Sequence, residues 1–123
     1  MKRTYETGLN GEQAASEWMN KNLGMKEMEK RYKTKAGEID LIMQDEETIV
    51  FVEVKTRTNA VSGSGLMAVD RNKQKRIANA AIFYLMKNGK LNSSVRFDAV
   101  EICSGRVLHI PNAFQPGNGF FYR

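Results

Sequence analysis

Two apolar runs joined by a short acidic spacer constrain this chain more than any other feature. Ile39-Asp40-Leu41-Ile42-Met43 and Thr48-Ile49-Val50-Phe51-Val52-Glu53-Val54-Lys55 have strand length, and the second is rich in β-branched residues. Asp45-Glu46-Glu47 between them reads as a turn, so the pair is a hairpin. Pairing symmetric about residues 46 and 47 sets 45 opposite 48, and therefore 40 opposite 53 and 38 opposite 55. In that register Asp40 and Glu53 stand about 5 Å apart at Cβ on one face, and Glu38 and Lys55 form the next rung of the same face.

Two ionised carboxylates at that distance repel unless a cation lies between them. Mg²⁺, or Mn²⁺ in its place, suits such a pair, because hard oxygen ligands with water and a phosphate oxygen complete its octahedron. Lys55 then lies on the face of Glu53, where it can orient or deprotonate water and offset charge on a phosphate. The same alternation also describes an ordinary solvated sheet face. Two features speak against that: Ile42, Ile49 and Phe51 share the face with the acids, and a further acid, Glu12, lies on the inward side of a helix.

That helix spans residues 8–23, where Ala14, Ala15, Trp18, Met19 and Leu23 recur at three- and four-residue steps before Gly24. Residues 25–32 form a first strand, although Lys26, Glu27, Glu29 and Lys30 also suit a helix. Residues 56–65 have loop composition. Asp70 caps a second helix to about Lys87, with Ile77, Ala81, Tyr84 and Leu85 inward and Gly89 past its end. Residues 95–102 alternate apolar and polar through one strand, and residues 107–110 follow the turn Ser104-Gly105 as another, ended by Pro111. This order of elements predicts an α/β domain over residues 1–123, a mixed central β-sheet flanked by α-helices, with residues 115–123 a loose tail whose Phe120, Phe121 and Tyr122 could dock on another surface.

Nineteen Lys and Arg against fourteen Asp and Glu give a net charge of +5, which favours a polyanionic partner. The lone Cys103 offers no internal disulfide and, without a histidine cluster, no zinc site. No apolar segment follows the N-terminal charges and no run approaches the roughly 18 apolar residues of a membrane span, so a cytoplasmic protein without a membrane partner is expected.

The motifs Gly11-Glu12, Gly37-Glu38-Ile39-Asp40-Leu41-Ile42 and Phe51-Val52-Glu53-Val54-Lys55-Thr56-Arg57 resemble the YraN family of bacterial endonuclease-like proteins. Lys73-Gln74-Lys75-Arg76-Ile77, Arg96-Phe97-Asp98 and His109-Ile110-Pro111-Asn112-Ala113-Phe114 extend the resemblance over most of the chain. It implies the restriction endonuclease-like fold of PD-(D/E)XK nucleases, shared with archaeal Holliday-junction resolvases. It further implies Asp40 as first metal ligand, Glu53 and Lys55 as the E-x-K element, and Glu12 as a helix-borne acid that shares the metal; Glu38 then holds Lys55. The expected reaction is Mg²⁺-dependent endonucleolytic cleavage, of DNA in preference to RNA, with branched or structured DNA a candidate substrate and a homodimer the assembly found among resolvase-like relatives. A nucleic-acid-binding module that keeps the fold and cuts nothing is the alternative.

Lys73, Lys75 and Arg76 crowd the start of the second helix, where the dipole disfavours cations. With Arg57, Lys33 and Lys35 they form an expected phosphate-contacting rim, to which similarity to some nucleases of this fold adds Gln74. Gly63-Ser64-Gly65-Leu66-Met67-Ala68 imitates a dinucleotide-binding turn but lacks the acid that reads the ribose. His109 and Cys103 are expected to be structural, and Trp18 to belong to the core.

Overall fold

The computed structural model describes residues 9–57 and 70–115, with backbone alone for residues 9 and 10. Helix α1 (Leu9–Leu23) leads into strands β1 (Lys26–Thr34), β2 (Gly37–Asp45) and β3 (Thr48–Arg57). Helix α2 (Arg71–Lys87) then precedes β4 (Ser94–Cys103) and β5 (Arg106–Ile110). The strands lie in one sheet in chain order; β3 and β4 run parallel and every other pair antiparallel. Short turns permit only antiparallel neighbours, whereas the longer β3–α2–β4 connection allows the parallel pair, and so the sheet is mixed as expected. Starting the first helix at residue 8, the rest of the 56–65 loop with the glycine-rich imitation turn, and the tail aromatics all fall outside the described residues.

One helix covers each face. Val50 and Val52 pack with Ala15 and Met19 of α1, while Ile49 and Phe51 pack with Ile77, Ala81, Tyr84 and Leu85 of α2. Cover on both sides explains why β3 reads as an almost unbroken apolar run. In α2, Asp70 accepts a hydrogen bond from Lys73 N at 2.8 Å, the expected cap, and the expected inward residues are buried. Trp18 packs half-buried against the α1 cluster.

The charged segment after Gly24 is the expected strand; it forms the sheet edge, where charged side chains also deter pairing with another chain. Two expectations change. Leu23 is exposed, because the chain turns at Gly24 and Met25 fills the buried position beside Met19. Finally, β4 has no solvent face. It lies between β3 and β5 with both faces covered, and Asp98 and Glu101, three residues apart and so on opposite faces, are both fully buried.

Candidate active site

Asp40 enters the site because β2 leaves its ladder with β3 just before reaching it. The five rungs from Leu41↔Val52 to Asp45↔Thr48 have the expected register, and they stop there. The Asp40–Glu53 and Glu38–Lys55 rungs are therefore not formed. Asp40 Oδ2 instead accepts a hydrogen bond from Val54 N at 2.8 Å, so a side chain stands where the next strand residue would pair. Glu38 pairs across β1 with Lys33. The alternation of β2 slips at the same place: Leu41 joins the α1 cluster but Ile39 joins the α2 cluster, although a regular strand puts both on one face. Across from this slip, between the rungs Lys30↔Leu41 and Tyr32↔Ile39, lies Arg31 with φ of 54°. Local irregularity re-aims the acid, as bulges near active sites do.

Glu53 lies on the α2 face of β3 and is 3% exposed. Lys73 Nζ of α2 is 2.6 Å from its Oε2, and Lys55 Nζ is 4.0 Å from the same oxygen. Burial and then the charge of Asp40 push the Glu53 carboxyl up to about 7, against the pull of Lys73, and a side-chain hydrogen bond to Asp40 adds to the rise. Asp40 and Glu53 are thus close enough for their side chains to interact. Lys73, lowered by burial but raised more by Glu53, stays charged.

A stability effect follows. Between pH about 4.5 and 7 the folded protein keeps a proton on Glu53 that the unfolded chain has released, so stability falls as pH rises through this window. The loss is expected to be roughly 2–3 kcal/mol. Urea unfolding at pH 5 and pH 8 measures it, and Glu53→Gln should flatten the difference.

Glu12 approaches Asp40 from α1. It is 5% exposed, its Oε1 makes no hydrogen bond, and Arg31 Nε lies 3.5 Å away. Burial first, then Asp40, raises its pKa. Two glycines make these approaches possible. A Cβ on Gly11 would strike the Thr56 hydroxyl, so α1 crosses β3 at this point and delivers Glu12. A Cβ on Gly37 would strike the Arg76 backbone carbonyl, so the start of β2 lies against α2. Gly37→Ala is expected to lose about 1–3 kcal/mol in thermal denaturation, because the obstacle is backbone. Gly11→Ala should lose less, since the Thr56 side chain can rotate.

The donor set fits a hard divalent cation. Asp40 and Glu53 present carboxylate oxygens close together, and the buried Glu12 Oε1 makes no hydrogen bond, with only the Arg31 ion pair at 3.5 Å beside it. Among the described residues no three acid, histidine or cysteine side chains are grouped closely enough to enclose an ion alone. Water and substrate oxygens would have to complete its shell.

Of the expected rim, Lys33, Lys35, Lys75 and Arg76 are exposed, and the Gly37–Arg76 contact brings the β1–β2 turn beside α2. Glu38, Asp70, Asn72, Lys73, Arg76 and Ile77 line an open cavity of about 310 Å³ there. Gln74 is half-buried. Arg57 Nε lies 2.9 Å from Glu101 Oε2, at a buried acid, which separates it from the free rim. Lys73 likewise serves as counter-ion to Glu53. Neither Glu101 nor the role of Lys73 was read from the sequence; the parity break between Asp98 and Glu101 was the available sign that β4 has two buried faces. His109 is structural in its contacts, with Nε2 2.8 Å from Asp98 Oδ2. Cys103 is buried. Among the described residues no helix is long and apolar enough to cross a membrane.

A family model described as "Uncharacterised protein family UPF0102" matches residues 11–102, a range holding Glu12, Asp40, Glu53, Lys55 and Lys73. The chain is 43% identical over 115 residues to a UPF0102 protein of Saccharophagus degradans, covering 93% of this chain and 97% of the relative. It is 40% identical over 111 residues to a UPF0102 protein of Clostridioides difficile, covering 89% and 96% respectively. A solved structure described as "Crystal structure of SSO0001" matches 90% of this chain and 53% of its own at TM-score 0.42 and 12% identity.

Proposed function

We propose, from the premise that this chain belongs to the uncharacterised protein family UPF0102, that it is a metal-dependent endonuclease hydrolysing phosphodiester bonds in DNA, structured or branched DNA in particular. The observation that carries this reading is a buried Glu53 facing Lys73 Nζ at 2.6 Å, with Asp40 close enough that its charge helps to push the Glu53 carboxyl up to about 7. Two acids held against their mutual repulsion lower the stability of the fold unless they serve a ligand. Lys55 within 4.0 Å, and a net charge of +5, supply what a phosphodiester requires around such a pair.

Asp40 and Glu53 would hold Mg²⁺ or Mn²⁺, with Glu12 as a further carboxylate on its water. The ion would supply charge on the phosphate and a more acidic water. Lys55 places an ammonium at the edge of the pair, where it orients the attacking water and offsets charge on the phosphate oxygens. Glu12, with its raised pKa, holds or accepts a proton from water at the α1 side. Arg76, Lys75, Lys33 and Lys35 contact the backbone of the nucleic acid and position it without reading its bases. Burial of Glu53 excludes bulk water from the reacting centre.

Labelled linear, flapped and four-way DNA incubated with Mg²⁺ or Mn²⁺ tests this reading, with matched RNA in competition. Cleavage that disappears in Glu53→Gln is expected. Absence of cleavage on every substrate, or undiminished cleavage by that variant, overturns it, and salt-dependent binding without cleavage would leave the binding module.

A further inference from the structure

The ammonium of Lys73 stands where a cation held by the acid pair would stand: 2.6 Å from Glu53 Oε2 and near enough to Asp40 for the two charges to interact. We propose that Lys73 is a displaceable internal counter-ion, which neutralises the pair in the free protein and is driven by an entering divalent cation into the adjoining cavity, where it binds substrate phosphate. This rests on the metal reading above and adds the coupling of metal entry to phosphate capture.

The two partners are unequally fixed. Glu53 is 3% exposed on a central strand, whereas the Lys73 side chain is 47% exposed on the first turn of α2. Its backbone is pinned by the Asp70 cap, so any movement falls to the flexible four-carbon stem. One ammonium brings a single charge to a pair of acids that can carry two, so a divalent ion is the stronger counter-ion. The stem has somewhere to go, because Lys73 itself lines the 310 Å³ cavity with Asn72 and Arg76. There Lys73 and Arg76 together present two cations to one phosphate, and the acids Glu38 and Asp70 on the same walls give the released ammonium partners until substrate arrives.

Calorimetric titration of the full chain with Mn²⁺, followed by inorganic phosphate, tests the coupling in wild type, Lys73→Met, Lys73→Arg and the distant Lys87→Met. Lys73→Met is expected to bind Mn²⁺ roughly five- to tenfold tighter, since no ammonium has to be expelled, and to bind phosphate more weakly in the presence of Mn²⁺. Lys87→Met should match wild type. Mn²⁺ binding by Lys73→Met alone would also support the proposal. Wild-type binding that is unchanged or weakened in Lys73→Met overturns the counter-ion while leaving the metal reading standing. No Mn²⁺ binding by any protein removes the metal reading and the proposal together. If Lys73→Met fails to fold, Lys73→Arg decides: Mn²⁺ binding tighter than wild type, with the charge retained, overturns the proposal, and equal or weaker binding upholds it.

Discussion

Asp40→Asn is expected to lower DNA cleavage roughly a thousandfold, equivalent to about 4 kcal/mol of transition-state stabilisation, while the protein stays folded. The asparagine oxygen can still accept the hydrogen bond from Val54 N that Asp40 Oδ2 accepts at 2.8 Å, so the join of β2 and β3 survives. Only the charge is lost. The substitution also relieves the repulsion that helps to hold Glu53 up near 7, so the Glu53 pKa should fall and the protein should become more stable at pH 8. Reduced activity with increased stability is the expected signature, read by cleavage rates beside urea unfolding. A variant with wild-type rates would remove Asp40 from the reaction, and a variant both inactive and unfolded would assign it a structural duty instead.

The largest stability effect is expected far from that centre. Asp98 is fully buried and saturated: Oδ1 accepts from Arg96 Nε at 2.9 Å and from Asn112 N at 3.0 Å, and Oδ2 accepts from a second Arg96 nitrogen at 2.9 Å and meets His109 Nε2 at 2.8 Å. Burial alone would raise its pKa, but His109, Arg96 and the Asn112 amide together hold it below the ordinary 3.8. The acid fastens β5 and the turn after it to β4. Beyond that turn Ala113 N donates to Phe97 O at 2.7 Å and Phe114 packs on Phe97, so the clasp also seats part of the α2-side core. Asp98→Ala strands a guanidinium and a backbone amide, and is expected to cost about 3–5 kcal/mol in urea unfolding at neutral pH. Because the folded pKa is depressed, this contribution is complete above the ordinary value and disappears as pH falls through the lower folded one. The difference between wild type and Asp98→Ala should therefore narrow in acid.

Local rules carried the reading of this chain a long way. Asp70 and Gly89 bracket α2 because capping and helix termination depend on a few adjacent residues. Ser104 and Gly105 both have positive φ, as a two-residue hairpin turn with matching twist requires. The register of β2 on β3 followed from symmetry about one turn. Glu12 came from helix phase, and its inward position is observed. Family membership came from motifs spread over most of the chain.

What the sequence determined by itself, then, was the elements and where along them the candidate acids and lysines lie, since period, caps and turns are properties of neighbours along the chain. How those residues meet was decided by tertiary structure. The ladder ends at Leu41 because a slip across from Arg31 turns Asp40 out of phase, and phase there depends on β1, a different strand. Lys73 turns inward because Glu53 offers it a buried charge, which no pattern within α2 can specify. Glu101 and Asp98 are buried because β4 pairs on both sides, a matter of sheet order. The physical reason is common to all three: electrostatics and close packing act between segments distant in sequence, and only the folded chain brings the partners of Asp40, Glu53 and Asp98 within reach.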